Sequence, residues 1–501
     1  MAESGELRFI PQFIIVAALV LGLAPLLAFA VSQGGIPTFN ETVWTILWFT
    51  LKQAALSTIL SVIPALFIAR ALWRHHFLGR DFLLNLFALP MAMPAIVVVL
   101  GVTGLIGNAG LLPALISPYG LGGIMLVHVF FNLPMAVRLF YQALQATPDE
   151  AYRLAAQLGF SEFVTFKQVE WPQMKVVLPQ ISAVIFLICA ASFVVVLTLG
   201  GPGTTTLEVA IFQSLRMDFD PPRALALSVL QMALCTVLIG FAHKAFGHDV
   251  GFMSMRRHGW NFMPQSLATK VAHLAVIALS AFLILPVVCI LVWRGIMGWH
   301  LDRATFSALA TSLCIGITSA TGALFLAWPL AKAQDSWSKL LALSGLIVPP
   351  AVLATGWFLL ARKLNDSTAL TFVFITALNI LMALPYAVAA LRAAHAKLAP
   401  LAQLQSQLGI SGVNALRLIE WPMLKSSFAQ AFLLAMVLSL GDLTAITLMG
   451  SNGLVTLPTL LHAEMGHYRG AAAEGTALIL LIICAISTLL AQRFGRYNAE
   501  T

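Results

Sequence analysis

Three observations predict an all-α polytopic membrane protein with about 12 transmembrane helices in two homologous halves of six. First, 60% of the 501 residues are hydrophobic and only 10% are charged, against roughly 25% charged in soluble domains. Second, apolar runs of span length recur from end to end. Third, the sequence repeats itself at an offset of 250 residues.

In order, the spans are expected near 12–31, 45–69, 82–106, 122–143, 176–199, 224–242, 271–293, 306–330, 340–360, 370–392, 427–449 and 475–492. Each is close to the roughly 20 residues a helix needs to cross a ~30 Å hydrocarbon layer. Ala28-Phe29-Ala30 imitates a signal-peptide cleavage site, yet Glu3, Glu6 and Arg8 precede the run where a basic segment would stand. An uncleaved first helix is therefore expected. The halves are assigned to 1–250 and 271–501, joined by a cytoplasmic linker at 251–270.

Topology accounts for the net charge of +8. With the N-terminus inside and alternating spans, the inside segments hold 19 of the 28 lysines and arginines and the outside loops hold 7. That bias follows the positive-inside rule and removes any need for a nucleic-acid partner. Arg362 and Lys363 are local exceptions. With both termini inside, the chain reads as a multi-pass protein of a bacterial inner membrane. The five cysteines lie in apolar runs without a CxxC pair, and the 11 histidines show no metal-ligand spacing. Neither a metal nor a cofactor is expected.

The repeat is collinear. Val169-Glu170-Trp171-Pro172 matches Ile419-Glu420-Trp421-Pro422, and Gln157-Leu158-Gly159 matches Gln407-Leu408-Gly409. Upstream the offset drifts, so that Leu133-Pro134 matches Leu384-Pro385 and Ala65-Leu66-Phe67 matches Ala323-Leu324-Phe325. Six spans separate equivalent points, which places both halves in the same orientation about an axis along the membrane normal.

The fourth and fifth spans of each half are joined by long cytoplasmic segments, 145–175 and 395–425. The first begins as a helix of good formers from Asp149 and stops at Gly159, a glycine C-cap. Ser161 and Ser411 are placed to cap a second short helix. Pro172 and Pro422 mark the turn into the next span.

This pattern resembles the EAA loop of type I ABC importer permeases. The resemblance implies a coupling helix that docks on an ATPase subunit, two such loops engaging an ATPase dimer. It carries over to Ala155, Ala156, Gly159, Glu170, Trp171 and Pro172, and to Gly409, Glu420, Trp421 and Pro422. The Glu-Ala-Ala triplet itself is degraded, to Leu154-Ala155-Ala156 and Leu404-Gln405-Ser406. Several stretches resemble the thiamine-transport permeases, whose subgroup includes fused ferric-iron permeases. These are Leu60-Ser61-Val62-Ile63-Pro64-Ala65, Ser117-Pro118-Tyr119-Gly120-Leu121, Val127-His128-Val129-Phe130-Phe131-Asn132-Leu133-Pro134, the Glu-Trp-Pro loop and Ser439-Leu440-Gly441-Asp442-Leu443. The resemblance implies translocation of thiamine or its phosphates, with ferric iron as the alternative cargo, by way of a separate ATPase and a periplasmic binding protein. The chain carries no Walker A sequence, so ATP hydrolysis is assigned to another subunit.

Intramembrane charges are candidates for the translocation path. Asp442, whose counterpart at the 250-residue offset is Ser192, suits a cationic substrate; a buried, hydrogen-bonded Asp is the other reading. Lys52 either lines the path or snorkels along its span, and snorkelling is expected for Arg138. Residues Thr204–Pro222 and Asn452–Gly470 are candidates for meeting a binding protein, with Asp218, Asp220 and Glu464 as charged contacts. An ion-driven secondary transporter with parallel six-helix halves is the main competing class. It does not account for the paired loops, and neither does a membrane scaffold.

Overall fold

A computed structural model describes residues 3–500 apart from 33–40, 76, 78, 108–109, 112–116, 202, 247–266, 365–366, 397, 399–400, 402–406, 408–409, 411, 450–452 and 468. Among the described residues the regular structure is helical throughout, as the composition predicts. Ten helices among the described residues are long and apolar enough to cross a membrane.

In the first half these elements run α1 (Glu3–Ser32), α2 (Glu41–Arg74), α3 (Arg80–Leu86), α4 (Leu89–Ala92), α5 (Ala95–Ile106), α6 (Leu121–Gln145), α7 (Asp149–Gln157) and α8 (Glu162–Thr165). They continue with α9 (Trp171–Ala190), α10 (Val194–Leu199), α11 (Leu207–Arg216) and α12 (Pro221–Phe246). The second half repeats the order: α13 (Leu267–Met297), α14 (Arg303–Lys332), α15 (Ser336–Ala342), α16 (Ser344–Ile347), α17 (Pro350–Lys363) and α18 (Thr368–Ala396). After α19 (Gly412–Ala415) come α20 (Trp421–Leu440), α21 (Thr444–Met449), α22 (Leu457–Gly466) and α23 (Gly470–Glu500). The expected linker at 251–270 lies mostly outside the described residues.

Two of the 12 expected spans are not straight helices. The run 82–106 is a pair, Arg80–Ala92 and Ala95–Ile106, bent by 112°. Its counterpart 340–360 is divided among α15, α16 and α17. The physical reason is proline: Pro94 precedes α5 and Pro349-Pro350 opens α17, and a proline N1 position starts a helix rather than continuing one. Hydropathy averaged over a window cannot register such a break.

The core of each half is α2 with α6 and α9, and α14 with α18 and α20. The first helix of each half leaves this core and packs on the other half. Helix α1 lies along α17, where Gly22 and Gly356 meet backbone to backbone: a Cβ on Gly356 would stand 1.5 Å from the Gly22 carbonyl oxygen. Trp357 Nε1 donates to Ala18 O at 3.3 Å and Gln12 Nε2 donates to Ser338 Oγ at 2.8 Å. In the mirror arrangement α13 lies against α5 and α2, with Gly101 receiving Leu291 and Val287. Small residues permit such approach in a bilayer, where close packing rather than water exclusion holds helices together.

Candidate functional site: paired loops and an intramembrane polar core

The first loop forms as its residues dictate. Helix α7 ends where Gly159 takes φ +64°, and the Phe160 N–H reaches back to Ala155 O at 3.0 Å. This left-handed position favours glycine. Ser161 Oγ then accepts from the Val164 N–H and opens α8. Ala155 is buried and Ala156 partly so, which seats α7, whereas Leu154, Leu158 and Phe163 are exposed. The loop therefore presents an apolar outer face with its small residues turned inward.

Pro172 does not turn the chain into a new segment, as the sequence led us to expect. The helix runs on from Glu162 to Ala190. A π turn at Phe166–Glu170 accommodates the proline, and the Trp171 N–H bonds Phe166 O, five residues back. Leu416–Glu420 ahead of Pro422 repeats this widened turn, with Trp421 N–H to Leu416 O. Pi turns are rare and concentrate at functional sites.

The π turn points Glu170 into the protein, where it is 0% exposed. Arg70 Nε donates to its Oε2 at 2.7 Å and Arg74 Nε donates to its Oε1 at 2.6 Å. Both arginines close the end of α2, one turn apart. Beside them Trp73 Nε1 donates to Tyr152 Oη at 2.9 Å, tying α7 to the same helix end. Burial, first, and the Glu170 charge raise the Tyr152 pKa, so its hydroxyl keeps its proton. Motion of α7 is thus mechanically connected to α2.

The second loop repeats half of this lock. Glu420, also buried, accepts from Lys332 Nζ at 2.6 Å. Lys332 stands 258 residues after Arg74, the offset that relates α2 to α14; at the Arg70 position stands Trp328. Trp328 packs on Phe428, which also contacts Trp421. Trp171 instead contacts Phe166, on the other side of its π turn. Gly409 and Ser411 lie outside the described residues. Sequence reasoning missed Arg70, Arg74 and Lys332, although a basic pair at i, i+4 ending a span was a usable signal.

The second set of candidates lies in the bundle. In the first half, His128 is held between Ser57 Oγ (2.9 Å to Nδ1) and Ser192 Oγ (3.0 Å to Nε2). Gln53 Nε2 donates to Cys189 O at 2.7 Å. In the second half Asn379 occupies the His128 position and donates to Ser439 Oγ at 2.8 Å. Asp442 accepts from the N–H groups of Thr444 (2.9 Å) and Ala445 (3.2 Å), capping α21. Its carboxylate also borders a cavity of about 10 Å³, with Ser312, Asn379, Ser439 and Thr456 in the wall. That is room for about one water molecule and none for an organic substrate. Asp442 is thus a buried, locally hydrogen-bonded carboxylate beside a water-sized cavity.

Lys52 lies on the exposed side of α2, together with Trp48, Ile59 and Ile63. Glu208, which the sequence reading passed over, is fully buried on α11 against the backbone amide of Ala351 in the other half. Neither of its oxygens completes a hydrogen bond among the described residues. Of the outer acidic candidates, Asp220 caps α12 through the Arg223 N–H (3.1 Å) and Glu464 faces His300 at 3.8 Å. Asp218 is exposed and 3.4 Å from Arg223.

Paired π-turn loops locked to a repeated bundle define a class of transport permease. Residues 65–250 match the family described as binding-protein-dependent transport system inner membrane component, and the chain belongs to this permease family. Within it, the chain is similar to the thiamine transport system permease protein of Brucella abortus, at 40% identity over 95% of this chain and 93% of that one. The proteins of the same description from Salmonella typhimurium and Escherichia coli are 38% and 36% identical, each over at least 90% of both chains. Like the family, this chain is a multi-pass inner-membrane protein and a non-catalytic translocation subunit.

Proposed function

We propose that this chain carries thiamine, or its phosphates, across the inner membrane as the permease of an ATP-driven importer. An ATPase dimer sits under the two loops on the cytoplasmic side, and a periplasmic binding protein delivers substrate at the opposite end. Both chain termini are cytoplasmic. The observation that carries the reading is the first loop: Leu154 and Leu158 are exposed apolar side chains on α7, outside the spans, backed by the Glu170–Arg70–Arg74 lock. An exposed apolar face beyond the bilayer is a docking surface in need of a partner. Two buried acidic side chains, Asp442 within the second half and Glu208 against the backbone of Ala351, favour a cationic cargo.

In this scheme ATP and the loaded binding protein both favour one outward-open state, and each therefore strengthens the other. The test is uptake of radiolabelled thiamine into proteoliposomes holding the chain, its ATPase and its binding protein, with Leu158→Glu in parallel. Uptake requiring all three components, and lost in the variant, supports the proposal. Uptake that persists without the ATPase and follows an ion gradient would sink it. ATP-driven uptake of ferric iron but not thiamine would retain the machine and replace the cargo.

A further inference from the structure

We infer that this protein holds one anionic phospholipid headgroup in a crevice between the loop-side end of α2 and the start of α13. The crevice measures about 450 Å³ and is lined by Phe67, Arg70, Thr269, Ala272, His273 and Val276. Its lining is amphiphilic in the sense a lipid requires. Arg70 and His273 supply polar groups at the loop-side end, and Phe67, Ala272 and Val276 are apolar. Phe67 is exposed on the side of α2 that faces the hydrocarbon, so the crevice is continuous with the acyl-chain region.

Three cations, Arg70, Arg74 and Lys270, stand here against two carboxylates, Glu162 and Glu170. His273 Nδ1 and His75 Nε2 share a hydrogen bond of 2.8 Å that joins the two halves at this point. Burial, then the charges of Lys270 and Arg74, lower the His75 pKa; Glu162 opposes them. Thus the histidine pair does not compete for the positive charge, which at the crevice comes from Arg70 and the neighbouring Lys270. Arg70 gives its Nε to Glu170 and an Nη2 proton to Glu162 O at 3.4 Å, and the donors that remain belong to a rigid fork suited to phosphate. Juxtamembrane cations of this kind attract the acidic lipids of the inner leaflet.

Among the described residues, the equivalent place in the other half is built differently. The Arg70 position is Trp328 there, and the helix against α14 is α1, whose Gln12 is already bonded to Ser338. One lipid per chain is therefore expected. Because Arg70 also grips Glu170, a bound headgroup would bear on the loop lock. The inference rests on the chain spanning a bilayer and not on what it transports.

Native mass spectrometry of the purified full-length chain in detergent tests this, with phosphatidylglycerol and phosphatidylethanolamine supplied at equal concentration. One phosphatidylglycerol should be retained in preference to phosphatidylethanolamine, and Lys270→Gln should reduce that preference by about five-fold. His273→Gln should do the same, whereas Lys339→Gln, an exposed lysine at the same end of the other half, should change nothing. Lys270 is exposed, so its variant tests the site without threatening the fold. Equal retention of both lipids, or a preference untouched by Lys270→Gln, would overturn the inference. Displacement by millimolar inorganic phosphate without any lipid retained would assign the crevice to free phosphate and overturn the lipid as occupant.

Discussion

Replacing Glu170 by alanine should be the most damaging single truncation at the loop lock, and clearly worse than the same change at Glu420. Glu170 is fully buried between Arg70, 16% exposed, and Arg74, 6% exposed. Removing the carboxylate strands two guanidinium groups one helical turn apart, with no counter-ion between them. Breaking a buried pair by deleting one partner costs about 3–5 kcal/mol, because the remaining charge is uncompensated. Lys332 in the other half is 26% exposed. Its ammonium can reach water when Glu420 is removed, so the cost there falls toward the ~1 kcal/mol of partly solvated pairs. Thermal melts of the purified chain should place Glu170→Ala below Glu420→Ala, and both below wild type. Restoring electroneutrality with apolar groups, Glu170→Ala with Arg70→Met and Arg74→Met, should recover most of the loss in the melt while leaving uptake impaired. Equal melting of the two single variants, or a triple variant no better than Glu170→Ala, would refute the reasoning that stranded charge is the cause.

Gly159→Val should cost about 1–2 kcal/mol through backbone strain alone, since a Cβ there meets nothing within 4 Å; Gly159→Asn should be milder, and uptake assays should rank the two in the same order. Gly356→Ala should lower the melting midpoint by displacing α1, at a cost of at least ~1–3 kcal/mol for overpacking. Gly240→Ala, in a helix with open space around it, should leave the midpoint unchanged or raise it slightly. Asp302 caps α14 by accepting from the Thr305 N–H at 2.7 Å, which holds its carboxyl below the usual carboxylate range. Its folded pKa is depressed, so its contribution is complete above about pH 4 and lost as acid carries the pH through the lower folded value. Asp302→Asn should abolish that component in acid melts, and Asp302→Ala should cost about 1 kcal/mol at neutral pH.

Much of the architecture was legible because it is written in periodic or repeated features. Apolar runs marked ten of the long helices, and the Glu-Trp-Pro repeat marked both loops before any geometry was known. Gly159 could be read as a C-cap since few other residues suit a left-handed position. Other features depend on tertiary contacts that a linear reading does not contain. The bend at Met93-Pro94 is hidden inside an apolar run. The role of Pro172 was misjudged because a proline usually ends one segment and begins another; here a π turn absorbs it and turns Glu170 inward. Glu208 looked like part of an outer loop, and only the packing of α11 on α17 reveals it as a buried carboxylate between the halves.

The exchange of first helices has a consequence for how the chain is made. Helix α1 is complete within the first 32 residues, but α17, on which it rests, begins at Pro350. At about 5–20 residues per second of synthesis, α1 waits roughly 15–65 s in the bilayer for its groove to exist. During that interval its Gly22 surface faces only lipid. The bilayer tolerates this because Phe9–Ala28 is strongly apolar; Gln12, near its end, is the side chain that waits for Ser338. The last-made half thus completes the first-made one, and a ribosome that stalls before Pro350 leaves behind a helix that is inserted but homeless.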